Sequence, residues 1–75
     1  MRRVKERWGD LKPGMTFFTR FGNTLAVVIH VRDSDLLIRG KSTCIVRFVD
    51  LEYGTVYQWQ RPKAEGHDTW VQVLR

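Results

Sequence analysis

The sequence predicts an all-β domain, a small antiparallel barrel of five to six strands. The chain has 75 residues, which is enough for one small domain and no more. Apolar and polar residues alternate in several short segments spaced roughly ten residues apart, the pattern of strands in a small β domain. Residues that favour turns separate these segments. Closing the sheet into a barrel removes the exposed edges that an open sheet of this size would leave.

The composition is that of a folded, basic protein. Hydrophobic residues make up 43% of the chain and aromatic residues 12%, too many for a disordered chain. Nine arginines and four lysines stand against eight acidic residues, giving a formal net charge of +5. This imbalance favours polyanionic partners. The excess of arginine matters because a guanidinium can bind phosphate with two hydrogen bonds and also stack on flat rings.

The chain divides into a basic N-terminal segment and one β domain. We predict that residues 1–12 form a basic arm or a single helical turn, and that residues 13–75 form the barrel. Val4 and Trp8 are four positions apart and would share one face of a helix. We expect Trp8 to cover one end of the core while the charges face water; a dedicated binding arm is the alternative.

Glycine, proline and short polar runs mark the predicted turns. "KPG" at 12–14 places Gly14 where a turn requires positive φ, and Gly54 is expected in the same conformation in a hairpin. Further turns are predicted at Gly22 and Asn23 and at "DSD", residues 33–35. The segments between them are the predicted strands: 15–21, 25–32, 36–39, 43–50, 55–60 and 69–74.

Alternation assigns the faces of the strands. In "LAVVIHVR" (25–32), alternate residues point to opposite faces. We expect the core face to carry Leu25, Val27, Ile29 and Val31, and His30 and Arg32 to point outward. In the strand 43–50, Arg47 must lie opposite the face of Phe48. Cys44 is the single cysteine, so it can form no internal disulfide, and we expect it to fill the core.

At this size the SH3-like barrel is the common solution, and the five-stranded oligonucleotide-binding barrel is the second choice. The motifs "WGDLKPGMTF", "LAVVIHV" and "IVRFVDLEYGTVYQW" resemble Tudor-type and related SH3-like modules over most of residues 8–59. The resemblance implies an aromatic cage for methylated lysine or arginine, with Phe18, Phe48 or Tyr53 at matching positions. In size and simplicity the chain is also similar to small inhibitors that bacteriophages express against host machinery.

A surface that combines arginines with aromatic rings is the predicted binding site. Such a surface suits single-stranded nucleic acid, because cations meet the backbone and bases stack on rings. Tyr57 and Trp59 share a face; we expect Trp59 to be mostly buried and Tyr57 to lie at the rim. The predicted anion-binding residues are Arg2, Arg3, Lys5, Arg7, Arg20, Arg32 and Arg47, and the predicted aromatic platform is Phe18, Tyr57 and Trp59.

The sequence favours a binding module over an enzyme. His30, His67 and Cys44 do not cluster at metal-ligand spacing, and no nucleophile, base and orienting group converge, so we expect neither catalysis nor a cofactor. The longest apolar run is far shorter than a membrane helix, and a cytoplasmic location is expected.

Three functions remain open. The first is binding of nucleic acid, and the second is binding of an acidic protein surface as an inhibitor or adaptor. The third is sequestration of a small phosphorylated nucleotide between the subunits of a homo-oligomer.

Overall fold

The computed structural model describes residues 2–19 and 23–75, without the side chain of Asp68. It is all-β, with six strands joined in one antiparallel sheet in the order β1-β6-β2-β3-β4-β5. Two short 3₁₀ turns, Trp8–Asp10 and His67–Thr69, follow β1 and precede β6. The strands are β1 (Arg3–Arg7), β2 (Thr16–Phe18), β3 (Leu25–Ile38), β4 (Lys41–Asp50), β5 (Val56–Pro62) and β6 (Trp70–Leu74).

The basic N-terminal segment is part of the sheet. β1 pairs along its whole length with β6, Arg3 opposite Leu74 and Arg7 opposite Trp70. The expected arm or single helical turn over residues 1–12 is therefore replaced by an edge strand and the 3₁₀ turn that follows it. The reason is pairing with β6 at the other end of the chain, which local spacing does not reveal. Trp8 is fully buried, as predicted.

The two ends of the sheet meet through the first 3₁₀ turn. β1 and β5 are the edge strands, and the described residues form no ladder between them. The backbone N–H of Gly9 donates to the carbonyl of Lys63 at 3.0 Å, just beyond β5. The indole of Trp8 stacks on Trp59 of β5, with ring centroids 6.5 Å apart and planes inclined by 21°. The two edge strands are thus connected by packing of the 3₁₀ turn against β5, in the place where a closed barrel would have a continuous ladder of hydrogen bonds.

The core lies on the concave face of this curved sheet. It is formed by Trp8, Leu11, Phe17, Ala26, Val28, Cys44, Val46, Phe48, Val71 and Val73. Phe17 contacts Trp8 and Phe48 edge to face, at centroid distances of 6.1 and 5.1 Å. Cys44 fills the core as predicted, 1% exposed, and Arg47 lies on the opposite face from Phe48.

The predicted core face of β3 is wrong for its first half. Ala26 and Val28 are buried, whereas Ile29 is 45% exposed. Val28 pairs with Phe48 and therefore shares its inward side, and a β-bulge at Ile29 shifts the register before the next pair. In a regular strand, Val28 and Val31 would point to opposite faces, because they are three positions apart. The bulge adds one residue between them, so both pack against the core.

The turn predicted at 33–35 is also wrong, because β3 continues through it. Asp33 and Ser34 pair with β4, and the chain reverses at Arg39 and Gly40. Both have positive φ, 53° and 75°, as a two-residue hairpin turn of the primed type requires. The predicted positive φ at Gly14 and Gly54 is confirmed, at 90° and 70°. Of the turn predicted at Gly22 and Asn23, Gly22 lies outside the described residues, and Asn23 has positive φ, 57°, as expected.

Candidate arginine and aromatic cleft

Two arginines of β1 lie over aromatic rings of neighbouring strands. The guanidinium carbon of Arg3 is 3.8 Å from the ring centroid of Phe18, and that of Arg7 is 3.5 Å from Trp70. Pairing of Arg7 with Trp70 in the ladder sets the second contact. The alternation of β1 places Arg3, Lys5 and Arg7 on its outer face. The most basic segment of the chain therefore lies beside two rings.

A third arginine stacks on the tryptophans that close the sheet. The guanidinium carbon of Arg61 is 4.7 Å from the Trp8 ring centroid and 4.8 Å from that of Trp59. Trp8 is fully buried, and its Nε1–H donates to the carbonyl of Cys44 at 3.1 Å. This hydrogen bond fixes one of the two rings on which Arg61 lies.

Several of these residues, Arg3, Arg61 and the rings of Phe18, Trp59 and Trp70, line one open cleft of about 400 Å³. We call it the arginine–aromatic cleft. Its wall carries two cations and three exposed or half-buried rings, together with amide and hydroxyl groups. The lining residues are Arg3, Phe17, Phe18, Thr19, Asn23, Trp59, Arg61, Trp70, Val71 and Gln72.

Hydrogen bonds hold the β1 arginines in place. Arg3 Nη1 donates to Gln72 Oε1 at 3.2 Å, and Arg7 Nη1 donates to Thr69 Oγ1 at 2.5 Å and more weakly to the carbonyl of Gly66. A guanidinium has five N–H donors in a planar fork. The contacts described for Arg3 use one of them, so this side chain retains donors for an oxyanion while it stacks on Phe18.

Strand β1, which contributes Arg3 to the cleft, is positively charged. Arg2 and Lys5 of the same segment are exposed. The one carboxylate within β1, on Glu6, is paired with Arg75 at 2.5 Å. Its charge is therefore largely offset by a neighbouring cation.

The other predicted cations lie elsewhere. Arg32 and Arg47 are exposed on the outer face of β3 and β4, where Arg47 donates to Gln58 Oε1 through Nε at 3.2 Å and Nη2 at 3.0 Å. Arg20 lies outside the described residues. The predicted anion-binding set therefore separates into an N-terminal group, of which Arg3 lines the cleft, and a β3–β4 group away from it.

The structure does not bring Arg47 together with Tyr57 and Trp59. Arg47 pairs with Gln58, which lies between those two aromatics in β5. Neighbouring residues of a strand point to opposite faces, so the rings lie on the concave side and Arg47 on the convex side. The predicted union of strand arginines with this platform is therefore wrong for Arg32 and Arg47.

The predicted difference between Trp59 and Tyr57 is confirmed. Trp59 is half-buried and packs on the core, with its ring centroid 4.9 Å from that of Phe48. Tyr57 is 36% exposed at the rim. Phe18, the third predicted platform residue, lines the arginine–aromatic cleft together with Trp59. The platform thus contributes two rings to this cleft.

A second cavity, of about 640 Å³, lies on the other side of Trp59. We call it the aromatic–acidic pocket. Asp50 is held there by hydrogen bonds: Oδ1 accepts from the backbone N–H groups of Glu52 and Tyr53 at 2.7 and 3.3 Å, and Oδ2 from Thr24 Oγ1 at 3.2 Å. The lining residues are Thr19, Thr24, Phe48, Asp50, Glu52, Tyr53, Tyr57 and Trp59.

Sequence reasoning missed Arg61 and Trp70 as site residues. The signal for Arg61 was available, because it follows Trp59 by two positions and so shares its face. No local signal could place Trp70 beside Arg7, since that contact depends on the pairing of β1 with β6. Residues at the two ends of the chain meet in this cleft.

Other functional features are few in the part of the chain that the structure describes. It contains no cluster of three or more His, Cys, Asp or Glu residues that could hold a metal ion. Burial raises the pKa of the Cys44 thiol to about 11, so the thiol is protonated at neutral pH. Among the described residues, no helix has the length and hydropathy needed to cross a membrane. Comparison of the sequence with models of protein families and with curated proteins found no match.

Proposed function

We propose that this chain is a non-catalytic SH3-like module that binds single-stranded nucleic acid in the arginine–aromatic cleft. The observation that carries the proposal is the stacking of Arg3, Arg7 and Arg61 on rings at or beside one cleft. Arginines supply contacts to phosphates, and rings supply surfaces for bases. The SH3-like assignment is supported by strands β2 to β5 following one another by turns, and by β6 returning beside β2.

The stacks provide a mechanism by which a base can replace an arginine on a ring. At an exposed site, an arginine–ring contact stabilises by about 0.5–1 kcal/mol, whereas a base stacked on an aromatic side chain contributes about 1–3 kcal/mol. A base that enters over Phe18 or Trp70 would displace the guanidinium from the ring. The released guanidinium could then bind the phosphate next to that base. Duplex bases are already stacked on one another, so this exchange favours single strands.

The charge of the cleft predicts the salt dependence. If Arg3, Lys5, Arg7 and Arg61 contact about four phosphates of a single strand, the logarithm of the association constant should fall with the logarithm of salt concentration with a slope near −3. The acidic residue of β1 does not oppose this, because Glu6 is paired with Arg75.

The test is a titration of labelled oligothymidylate, and of a duplex of the same length, followed by fluorescence anisotropy across a salt series. Arg3→Gln should weaken single-strand binding about tenfold and reduce the salt slope by about 0.7. Arg47→Gln is the matched control: it removes the same charge from an exposed arginine on the convex face, and should change affinity less than about twofold. Absence of binding at low salt, or equal loss in both variants, would overturn the proposal.

A second candidate function is supported by the aromatic–acidic pocket. The resemblance to Tudor-type modules implies a cage for methylated lysine or arginine, and two of its suggested positions, Phe48 and Tyr53, line this pocket with Tyr57 and Trp59. Aromatic faces and a nearby carboxylate such as Glu52 attract an organic cation. The third suggested position, Phe18, lies in the other cleft and does not support the cage.

Titration with a peptide that carries trimethyllysine, against the same unmethylated peptide, tests this candidate by tryptophan fluorescence and amide chemical shifts. Preference for the methylated peptide that is lost in Tyr57→Ala would support it. Equal binding of both peptides, or binding that survives Tyr57→Ala, would exclude the pocket as a methyl cage.

A further inference from the structure

The two edges of the sheet differ in how they are protected. β1 is charged at Arg3, Lys5, Glu6 and Arg7, and charged side chains prevent an edge strand from pairing with another chain. The first part of β5 and the residue before it read "TVYQWQ" (55–60), with no charge, no proline and a high β propensity. β5 therefore has the composition of a strand that is paired on both sides, although β4 is its only strand neighbour among the described residues.

The backbone groups that face this edge can be assigned from the hydrogen bonds at the two ends of β5. The carbonyl of Thr55 accepts from the N–H of Asp50 at 2.8 Å, and the N–H of Lys63 donates to the carbonyl of Ser42 at 3.0 Å. In an antiparallel pair, alternate residues direct both groups to the partner strand. Odd-numbered residues of β5 thus bond to β4, so Val56 and Gln58 direct their N–H and C=O groups outward.

The first 3₁₀ turn covers only the distal end of this edge. Its backbone contact is from Gly9 to Lys63, and its ring contact is from Trp8 to Trp59. The stretch from Val56 to Gln58 lies beyond these contacts. Beside it are exposed apolar side chains: Val56 at 56% and, in the turn that precedes β5, Tyr53 at 74%. An unpaired strand edge and an apolar border thus coincide at one place.

We propose that a second copy of the chain pairs with this edge, β5 against β5, antiparallel about a two-fold axis. In the register that satisfies the outward groups, Val56 of each copy lies opposite Gln58 of the other, and the two Tyr57 residues face each other on the axis. Such an interface is self-complementary, as two-fold symmetry requires. It joins two six-stranded sheets into one.

The charge distribution favours a second copy as the occupant. Two molecules with a net charge of +5 repel each other at most surfaces, but the central residues of this interface are uncharged. The antiparallel arrangement also directs the end of β5 that carries Arg61 towards the turn of the other copy that carries Glu52. The basic end of each strand is thus on the same side as an acidic group of its partner.

This inference does not depend on nucleic-acid binding. Most of the cleft is formed by β1, β2 and β6, at the other end of the strand order, and the β5 residues that line it, Trp59 and Arg61, follow the stretch 56–58 that pairs in the dimer. A dimer can therefore form whether or not the cleft binds an oligonucleotide, and each proposal can fail separately.

Sedimentation velocity over a range of protein concentrations, on protein freed of nucleic acid, tests the dimer. The wild-type chain should shift from monomer to dimer as concentration rises. Val56→Lys places a like charge on each side of the axis and should weaken dimerisation at least about tenfold. Leu36→Lys is the matched control, because Leu36 is 67% exposed on the β3–β4 hairpin, near the Pro62 end of β5 and not the Val56 end; it should leave the equilibrium unchanged.

Hydrogen exchange keeps the proposal testable if Val56→Lys does not fold. In wild-type protein, the amides of Val56 and Gln58 should exchange more slowly at high concentration than at low concentration, while the amide of Tyr57, bonded to β4, changes less. A wild-type chain that stays monomeric at the highest soluble concentration would overturn the proposal. So would a dimer whose stability is equally reduced by both lysine variants, or whose edge amides show no concentration dependence.

Discussion

Replacing Trp8 with phenylalanine is expected to destabilise the fold by about 2–3 kcal/mol. Trp8 is fully buried, and its Nε1–H donates to the carbonyl of Cys44 at 3.1 Å. Loss of this hydrogen bond costs about 1 kcal/mol. Phenylalanine also lacks two ring carbons of the indole, and burial of each apolar carbon contributes about 0.8 kcal/mol. The stack on Trp59 that joins the two ends of the sheet would loosen as well.

Urea unfolding followed by circular dichroism measures this change in the free energy of unfolding. For a domain of this size, 1 kcal/mol corresponds to about 4–8 °C in Tm, so the variant should melt roughly 10–20 °C below the wild-type chain. Trp70→Phe is the control, because Trp70 is 39% exposed; its effect should stay below about 1 kcal/mol. If Trp8→Phe loses no more than Trp70→Phe, Trp8 does not close the sheet as described.

Three further outcomes are expected. A Cβ added at Gly9 would lie 2.8 Å from Lys63 Cβ, so Gly9→Ala should lower the free energy of unfolding by about 1–3 kcal/mol, measured by urea unfolding. Asp10→Ala changes an exposed neighbour and should not lower it. Asp50→Ala removes the acceptor of three hydrogen bonds at the β4–β5 turn and should lower the free energy of unfolding by about 1.5–3 kcal/mol. Asp50→Asn should lower it less, because the amide retains one oxygen; equal losses of stability in the two variants would show that these hydrogen bonds are not the cause. Burial raises the pKa of the Cys44 thiol from 9.0 to about 11, so the fold favours the neutral thiol. The stabilisation from this preference is present below pH 9 and is lost as the pH rises towards 11, and a thiol reagent at pH 8 should react no faster than the chain unfolds.

Local patterns were reliable where the relevant interaction is local. The positive φ of Gly14 and Gly54 follows from the steric freedom of glycine in turns. The opposite faces of Arg47 and Phe48 follow from the geometry of any strand. The burial of Trp59 relative to Tyr57 was expected because a small sheet needs large side chains on its inner face.

Predictions failed where pairing with another strand determines which face a residue is on or whether a segment stays extended. The bulge at Ile29 reverses the faces of β3 and places Ala26 and Val28 inside, and one inserted residue cannot be read from hydrophobic alternation. The polar residues at 33–35 favour a turn locally, but pairing with β4 keeps them extended.

The sequence by itself determined the all-β class, the positions of several turns, the excess of arginine and which neighbours on a strand share a face. Only the tertiary structure decided which cations meet which rings. Arg3 and Arg7 reach Phe18 and Trp70 because β1 pairs with β6, whereas Arg32 and Arg47 lie on the outer face of β3 and β4, away from these rings. The physical reason is that strand alternation is a local property of the backbone, while register and strand order depend on contacts between residues far apart in the chain.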